Sequence, residues 1–584
     1  MKTYVDRISF TVLAVMAVSS CVFLEPDEDN ASDIGILDEA AYFCGPLNSV
    51  YDNLPSVFDN SMDAMTDNAV IRDMSGDYYR CGIGAMSPNN NPLDIWTRGY
   101  ENIRKLNIFL DRMVLDEDSE LQTPVRFFPI ESDADKQNNL NMFWRLKGEA
   151  YALRAYWMLE LLKNFAGVDS DGNVLGVPDV RWHIVQSDDT GQRFPRASFD
   201  DCIEAIVEDC DSAVYICKLP DLYNGGTDLT YGNSNRNHIS GAAAKAIKAR
   251  ALLYAASPAY NLTDDAGRWE LAAKAAAEAI NAVGGINAGF STREEYYFSQ
   301  IENTDWGNYD LIFKGKVLTW NSDFERDNYP PQMYGNAKIN VSQNLVDVFP
   351  DIDGYPVGES LQYDPEHPYD NRDPRLALFV GYDGGQIGSY VIDVSYGGKD
   401  AYDPLKKTSR SGYYLKKTLR ESIVLDPGVA TSTSRTNILI GLPELLLNFS
   451  EAANRAWGVT GDPEGLGFTA KDALTRIVTR ENPDGANYLN DVIGSDSDLF
   501  DEYVRIQRRI ELCFEGHYFY DLRRWHASSS DWEKVLNVPV MGIRYSGSGP
   551  EIIELERRFF ESPYQPVPYS EILNAGLVQN KGWN

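Results

Sequence analysis

This sequence predicts a mainly α-helical fold: successive antiparallel helix pairs carrying loop-rich insertions and a few short strands. Three observations carry that reading. Long segments place apolar residues at helical spacing, Ser caps and a Pro stop mark their ends, and the spacing disappears between about Gly285 and Arg435. Met142 to Phe165 is the first clear helix, with apolar residues at 142, 143, 146, 150, 153, 157, 158, 161, 162 and 165. Ser198 to Leu219 follows, opened by Ser198 as N-cap with Asp200 and Asp201 in the first turn. Ser240 opens a third helix, which runs from Gly241 to Ser257 and is stopped by Pro258; Glu270 to Ala282 makes a fourth, rich in Ala. Ile438–Trp457, Thr469–Thr479 and Leu499–Trp525 complete the set. Trp96, spaced to Tyr100, Ile103 and Asn107, marks a buried helical face, and Trp144, Trp157 and Trp525 are read as core for the same reason.

Small Ala-rich faces against larger aromatic ones, in consecutive pairs, resemble a tetratricopeptide-like helical repeat scaffold. The scaffold is expected over residues 40–284 and 436–530, with a loop-rich region at 285–435 and a second loop at 72–94. Gly, Pro, Asn, Asp and Tyr dominate the larger region, where only short apolar runs such as Leu311–Phe313 and Leu376–Val380 occur. Loops fixed to a rigid scaffold are where binding residues concentrate.

Composition excludes several functions. Of 584 residues, 53 are Lys or Arg and 87 are Asp or Glu, a net charge of −34. A nucleic-acid partner needs a basic footprint, and no Lys/Arg-rich stretch supplies one. There is no Walker loop, G-x-S-x-G elbow or H-E-x-x-H, so neither a metal nor another cofactor is predicted. Asp169-Ser-Asp-Gly-Asn173 starts like a calcium loop, but Val174 and Val180 occupy the positions that need Gly and Glu, so it reads as a polar turn. Cys202, Cys210 and Cys217 read as single buried thiols. At the start, Lys2 and Arg7 precede an apolar run from Ile8 to Ser20, too short for a permanent span of about 20 residues. Val18-Ser-Ser-Cys21 then gives the pattern of a bacterial lipoprotein signal: residues 1–20 are removed and Cys21 is lipidated, leaving 21–584 as one domain.

A sugar site needs flat aromatic faces for the apolar side of a pyranose and amides or carboxylates for its hydroxyls. Trp306, Tyr309, Trp320, Tyr329 and Tyr334 lie in the loop-rich region among Asn308, Asn321, Asp323, Asn328 and Asn336. Tyr78, Tyr79, Asn89, Asn90 and Asn91 supply the same chemistry in the earlier loop. The leading candidates are Trp320, Tyr329 and Tyr334, then Trp306, Tyr79, Asn89 and Asn91.

The segment Arg508-Arg-Ile-Glu-Leu-Cys-Phe-Glu-Gly-His-Tyr-Phe-Tyr-Asp-Leu-Arg-Arg-Trp525 resembles the signature helix of the SusD/RagB family. Family-like passages occur in order at Trp96–Asn107, Leu153–Tyr156, Ala244–Tyr254, Gln343–Asp347, Asn371–Arg375, Glu451–Asn454 and Gln579–Asn580. Departures are His517-Tyr518 and an insertion at Val168–Leu175. The resemblance implies a SusD-like fold and a non-enzymatic, lipid-anchored protein of the outer-membrane surface. Its partners would be an oligosaccharide or, in some members, a peptide, and a TonB-dependent transporter of the SusC type. Glu511 and Glu515 fall four apart with Arg508, Arg509, Asp521, Arg523 and Arg524 around them. They read as an ion-pair network rather than the facing acids of a glycosidase, which remains the alternative from another class.

Overall fold

The computed structural model describes residues 33–56, 60–119, 121–181, 194–298 and 310–583. Cys21, Trp306, Asn308 and Tyr309, together with the segment 1–20, lie outside them. Ten helices carry the scaffold: α1 (Asp33–Asp52), α2 (Trp96–Arg112), α3 (Asp133–Phe165), α4 (Phe199–Asp211), α5 (Gly241–Ala256), α6 (Ala266–Ala282), α7 (Leu442–Trp457), α8 (Ala470–Val478), α9 (Ser497–Glu511) and α10 (Tyr518–His526). Each of α1 to α6 packs on the next, as stacked helix pairs should, and α7 packs on α6 although the loop-rich region separates them in sequence. The repeat therefore continues across the insertion. Side-chain oxygens of Ser132, Ser198, Ser240 and Thr469 accept amide hydrogens at the starts of α3, α4, α5 and α8, so local chemistry fixes these boundaries. Ala272, Ala273, Ala275, Ala276, Ala277 and Ala279 are buried along α6, where short side chains let its neighbours α5 and α7 approach. Among the described residues no helix is long and apolar enough to cross a membrane.

Three expectations change. Ile438–Gly441 is not the start of a helix but a strand; the helix begins at Leu442, with Pro443 in its first turn. The expected helix 499–525 is two helices, α9 and α10, because Phe514 and Gly516 take φ of +62° and +79° and turn the chain between them. Trp96, Trp157 and Trp525 are buried, whereas Trp144 is only partly so. The insertion forms a small hairpin in which the Asp169 carboxylate accepts the amide hydrogens of Asp171 and Asn173, the expected polar turn.

Strands come as two-stranded ribbons. β1 (Ala69–Ile71) pairs antiparallel with β4 (Ile339–Val341), β2 (Leu311–Lys314) with β6 (Ile438–Gly441), β3 (Leu318–Asn321) with β5 (Thr433–Arg435), and β7 (Pro539–Ser546) with β8 (Gly549–Arg557). The β1–β4 pair joins the two loop regions that the sequence separates by some 250 residues, Ala69 facing Val341.

Buried charge knits these layers. Arg524 forks onto Glu451 at 2.6 and 2.7 Å, Trp525 donates its indole N–H to the same carboxylate at 2.8 Å, and Arg508 and Arg524 share Asp521. Glu511 does not pair within its own helix. It receives Arg293 at 2.8 Å and Arg375 and Arg480 at 3.3 Å, while Glu515 takes Lys417 at 2.7 Å and the Tyr297 hydroxyl. Arg509 goes to Asp67. The ion-pair reading holds, with partners drawn from other elements. Arg196 spends its guanidinium on the carbonyls of Phe165, Leu175, Gly176 and Val578 and on the Asn580 side chain, fastening residues 578–580 to the end of α3.

His517, at the head of α10, lies 4.0 Å from Glu444, yet burial together with Arg250 and Arg508 pulls it down to about 3. His526 is pulled down to about 4. The unfolded chain takes up these protons near pH 6.5 and the folded chain does not, so stability falls as pH drops from about 7 to 5. The buried acids Glu149, Glu444 and Asp521, held near 2, stay ionised in the folded chain over that window, so they add slope only toward pH 5, where the unfolded carboxylates begin to take up protons. Urea melts at pH 7, 6 and 5 should show His517→Gln losing up to one proton of pH dependence, about 1.4 kcal/mol per pH unit, relative to wild type. An unchanged slope would place the His517 proton uptake elsewhere.

Candidate functional site

The ribbon β3–β5 is bulged. Leu318 faces Arg435 and Asn321 faces Thr433, so Thr319 and Trp320 of β3 stand against Ser434 alone. The extra residue is accommodated at Trp320, whose φ of +42° lies in the left-handed region that bulky side chains avoid. The result is an indole 69% exposed on a backbone held by sheet pairing, its N–H backbone donor 3.4 Å from the Ser434 hydroxyl. Tyr334 repeats the device. It closes the single 3-10 turn Pro331–Met333 with φ +64°, a position that Gly or Asn usually fills, and is 57% exposed. A strained backbone thus presents both rings to solvent.

Tyr329 does not join them. Its ring is 0% exposed and its hydroxyl donates to the carbonyls of Arg420 and Ile423 at 2.8 and 3.2 Å, in a small core with Ala337, Ile387, Ile392, Tyr414 and Leu419. It anchors the loops and cannot stack on a ligand. Asn328 is buried too, bonded to Phe324 and Ile339 backbone. Asp323 is exposed and paired with Arg326.

The earlier loop lies beside the Tyr334 corner. Arg72 donates its backbone N–H to Lys338 and its Nε to the Asn336 carbonyl at 2.9 and 2.7 Å. Tyr79 is half-buried with the Arg410 guanidinium 5.7 Å from its ring centre. Asn91 is engaged within the fold, accepting from Leu93 N–H and donating to Gln565, so it is a turn residue first. Asn89 stands exposed at the Ser87–Asn90 turn.

Next to the bulge, Ser56, Tyr297, Phe324, Thr418, Arg435 and Asn437 line a small cavity. Arg435 is bound to Glu325 at 2.5 Å and to the Thr418 carbonyl at 3.1 Å, with its guanidinium 4.6 Å above the Phe324 ring. Arg435 Nε, Thr418 Oγ1, Asn437 Oδ1 and both amide atoms of Asn321 are buried without a hydrogen-bond partner, so this ground retains polar capacity for hydroxyls or water. A flat exposed indole beside unspent polar groups can hold a ligand that has an apolar face and hydroxyl edges. Neither facing acid of a hydrolase is here: Glu511 and Glu515 are buried in the ion pairs already described.

Sequence reasoning missed two exposed aromatics, Tyr396 and Tyr402, the second with Arg544 3.8 Å from its ring centre. Both sit in Gly/Asp/Pro turns of the same loop-rich region, the context that singled out Trp320.

Denaturant melts should separate the rings. Tyr329→Ala, a large-to-small change in a core, should cost about 3–5 kcal/mol. Trp320→Gly should leave stability unchanged or raise it by up to about 1 kcal/mol, since Gly relieves the left-handed strain. A large loss in Trp320→Gly would make the indole a structural anchor.

Comparison with known proteins agrees with this architecture. A SusD-like protein from Bacteroides fragilis superposes with a TM-score of 0.69 at 22% identity, covering 96% of this chain and 100% of its own. A SusD-like carbohydrate binding protein from the same organism gives 0.67 at 18%, covering 94% and 100%. A SusD superfamily protein from Bacteroides vulgatus gives 0.58 at 16%, covering 93% and 98%. No curated protein matches the chain. The SusD family model matches residues 297–583, from the short helix that carries Tyr297 through the ribbons, α7 to α10 and the segment that Arg196 fastens. By that match residues 297–583 of the chain belong to the SusD family.

Proposed function

We propose that this protein captures oligosaccharide at the cell surface and passes it to a TonB-dependent outer-membrane transporter of the SusC type, while lipid on Cys21 holds it to the outer membrane. Family membership supports the class of ligand, and one protein of the same fold is described as carbohydrate binding. The observation that carries the reading is Trp320: a strained, bulged strand holds a flat indole in solvent near amide and hydroxyl groups and one guanidinium Nε that lack hydrogen-bond partners. Strain of this kind persists where surrounding structure imposes it, and it fits a stacking platform better than a packing role. Tyr334, on the far side of the short helix Asp323–Asn328 in sequence, offers a second ring of the same kind. The −34 charge suits a neutral ligand and gives a nucleic acid no purchase.

Calorimetric titration against a panel of oligosaccharides tests this. Trp320→Ala and Tyr334→Ala should each weaken binding of the recognised glycan roughly tenfold, about 1.4 kcal/mol, with the glycan recovered uncleaved. Full affinity in both variants would remove the platform from these rings, and cleavage products would turn the reading to a hydrolase. For the anchor, cells fed a clickable fatty acid should label the wild type and not Cys21→Ala; equal labelling of the two refutes it.

A further inference from the structure

The turn of α10 leaves one charge of the signature segment uncompensated. Arg508 and Arg524 meet Asp521 and Glu451, and Arg509 meets Asp67, but Arg523 meets no carboxylate among the described residues. It is 7% exposed. Its Nη1 donates to the Phe519 carbonyl one turn back, at 3.0 Å, while Nε and Nη2 have no acceptor. Among the described residues no other buried guanidinium lacks partners at two nitrogens. The ring centres of Phe519 and Phe560, at 3.4 and 4.5 Å, hold the group in place without neutralising it. Burial opposes its charge and pulls the guanidinium below its usual range.

Those unspent donors line a cavity, with Tyr254, Tyr260, Tyr520, Tyr564 and Gln565 around them. Its free volume of about 10 Å³ admits one water-sized particle. No carboxylate is among the residues that line it. The other cation at the cavity, Lys163, is already bound by Glu160 at 2.8 and 2.9 Å. A cation is repelled there, and a water satisfies hydrogen bonds while leaving the charge uncompensated.

We propose that this cavity is a binding site for a single small inorganic anion of the halide class, held by Nε–H and Nη2–H of Arg523 with Tyr260 beside it. The anion supplies the counter-charge that no carboxylate gives Arg523, and it would make the protein's stability depend on the identity of the anion as well as on ionic strength.

Two measurements on the purified protein test this. Thermal melts at equal ionic strength should show a saturable rise in sodium bromide over sodium gluconate, whose anion is too large to enter, of about 2 °C at a hundredfold excess over the dissociation constant. The rise should vanish in Arg523→Met. Because that variant can fail to fold, crystals of the wild type grown in sodium bromide give a second readout: an anomalous peak within hydrogen-bond distance of Nε and Nη2 is expected. Equal melting of wild type in the two salts, a bromide shift retained in Arg523→Met, or a cavity holding only water would each overturn the proposal.

Discussion

Glu511 is the carboxylate on which the assembly of this molecule turns. It is buried at the end of α9, and its three guanidinium partners come from separate parts of the chain: Arg293 and Arg375 from the loop-rich region, Arg480 from the turn after α8. Three cations converge on one acid, so its carboxyl is held far below the usual carboxylate range despite burial. Arg375 continues outward to Asp373 and Gln507, and Arg293 to Glu481. Buried pairs add little net stability over an apolar core, but they are intolerant of the wrong geometry. That intolerance is what an inserted region needs. Apolar contacts would let some 150 residues of irregular chain slide on the helices, whereas a fork of charge fixes them in one pose.

With the pose fixed, the ribbons can carry strain. Trp320 and Tyr334 sit in left-handed backbone because pairing on both sides imposes it, through β5 for the first and through the Gly335 and Ala337 amide bonds to Pro330 and Tyr329 for the second. Tyr329, between them in sequence, is the buried peg. One short passage therefore alternates presented and anchoring rings, and the anchor makes the presentation rigid.

Much of the scaffold was legible because its cues are local. Ser198, Ser240 and Pro258 mark helix ends by their own hydrogen-bonding chemistry, and Ala-rich faces announce close packing. Ile438–Gly441 was misread because four apolar residues before a helix look the same whether they extend the helix or pair with Leu311–Lys314, a partner more than 120 positions away. The break at 512–517 hides for a related reason: Phe514 adopts positive φ with nothing in its side chain to signal it. Within the site, Gly/Pro/Asn context found the right passage but could not sort its rings. Tyr329 and Tyr334 share that context, and the difference between them lies in Arg420, Ile423 and Tyr414, residues 80 and more positions on.

The Arg196 clamp has a temporal consequence. Its acceptors at 165, 175 and 176 are made early in synthesis, while Val578 and Asn580 come nearly 400 residues later. Until they arrive, a buried guanidinium near the end of α3 lacks two of its acceptors, and the carbonyl of Phe165 lacks the Asn580 amide. That end of the helical half therefore completes its hydrogen bonding only with residues 578–580 in place. Contacts of such long sequence separation slow folding.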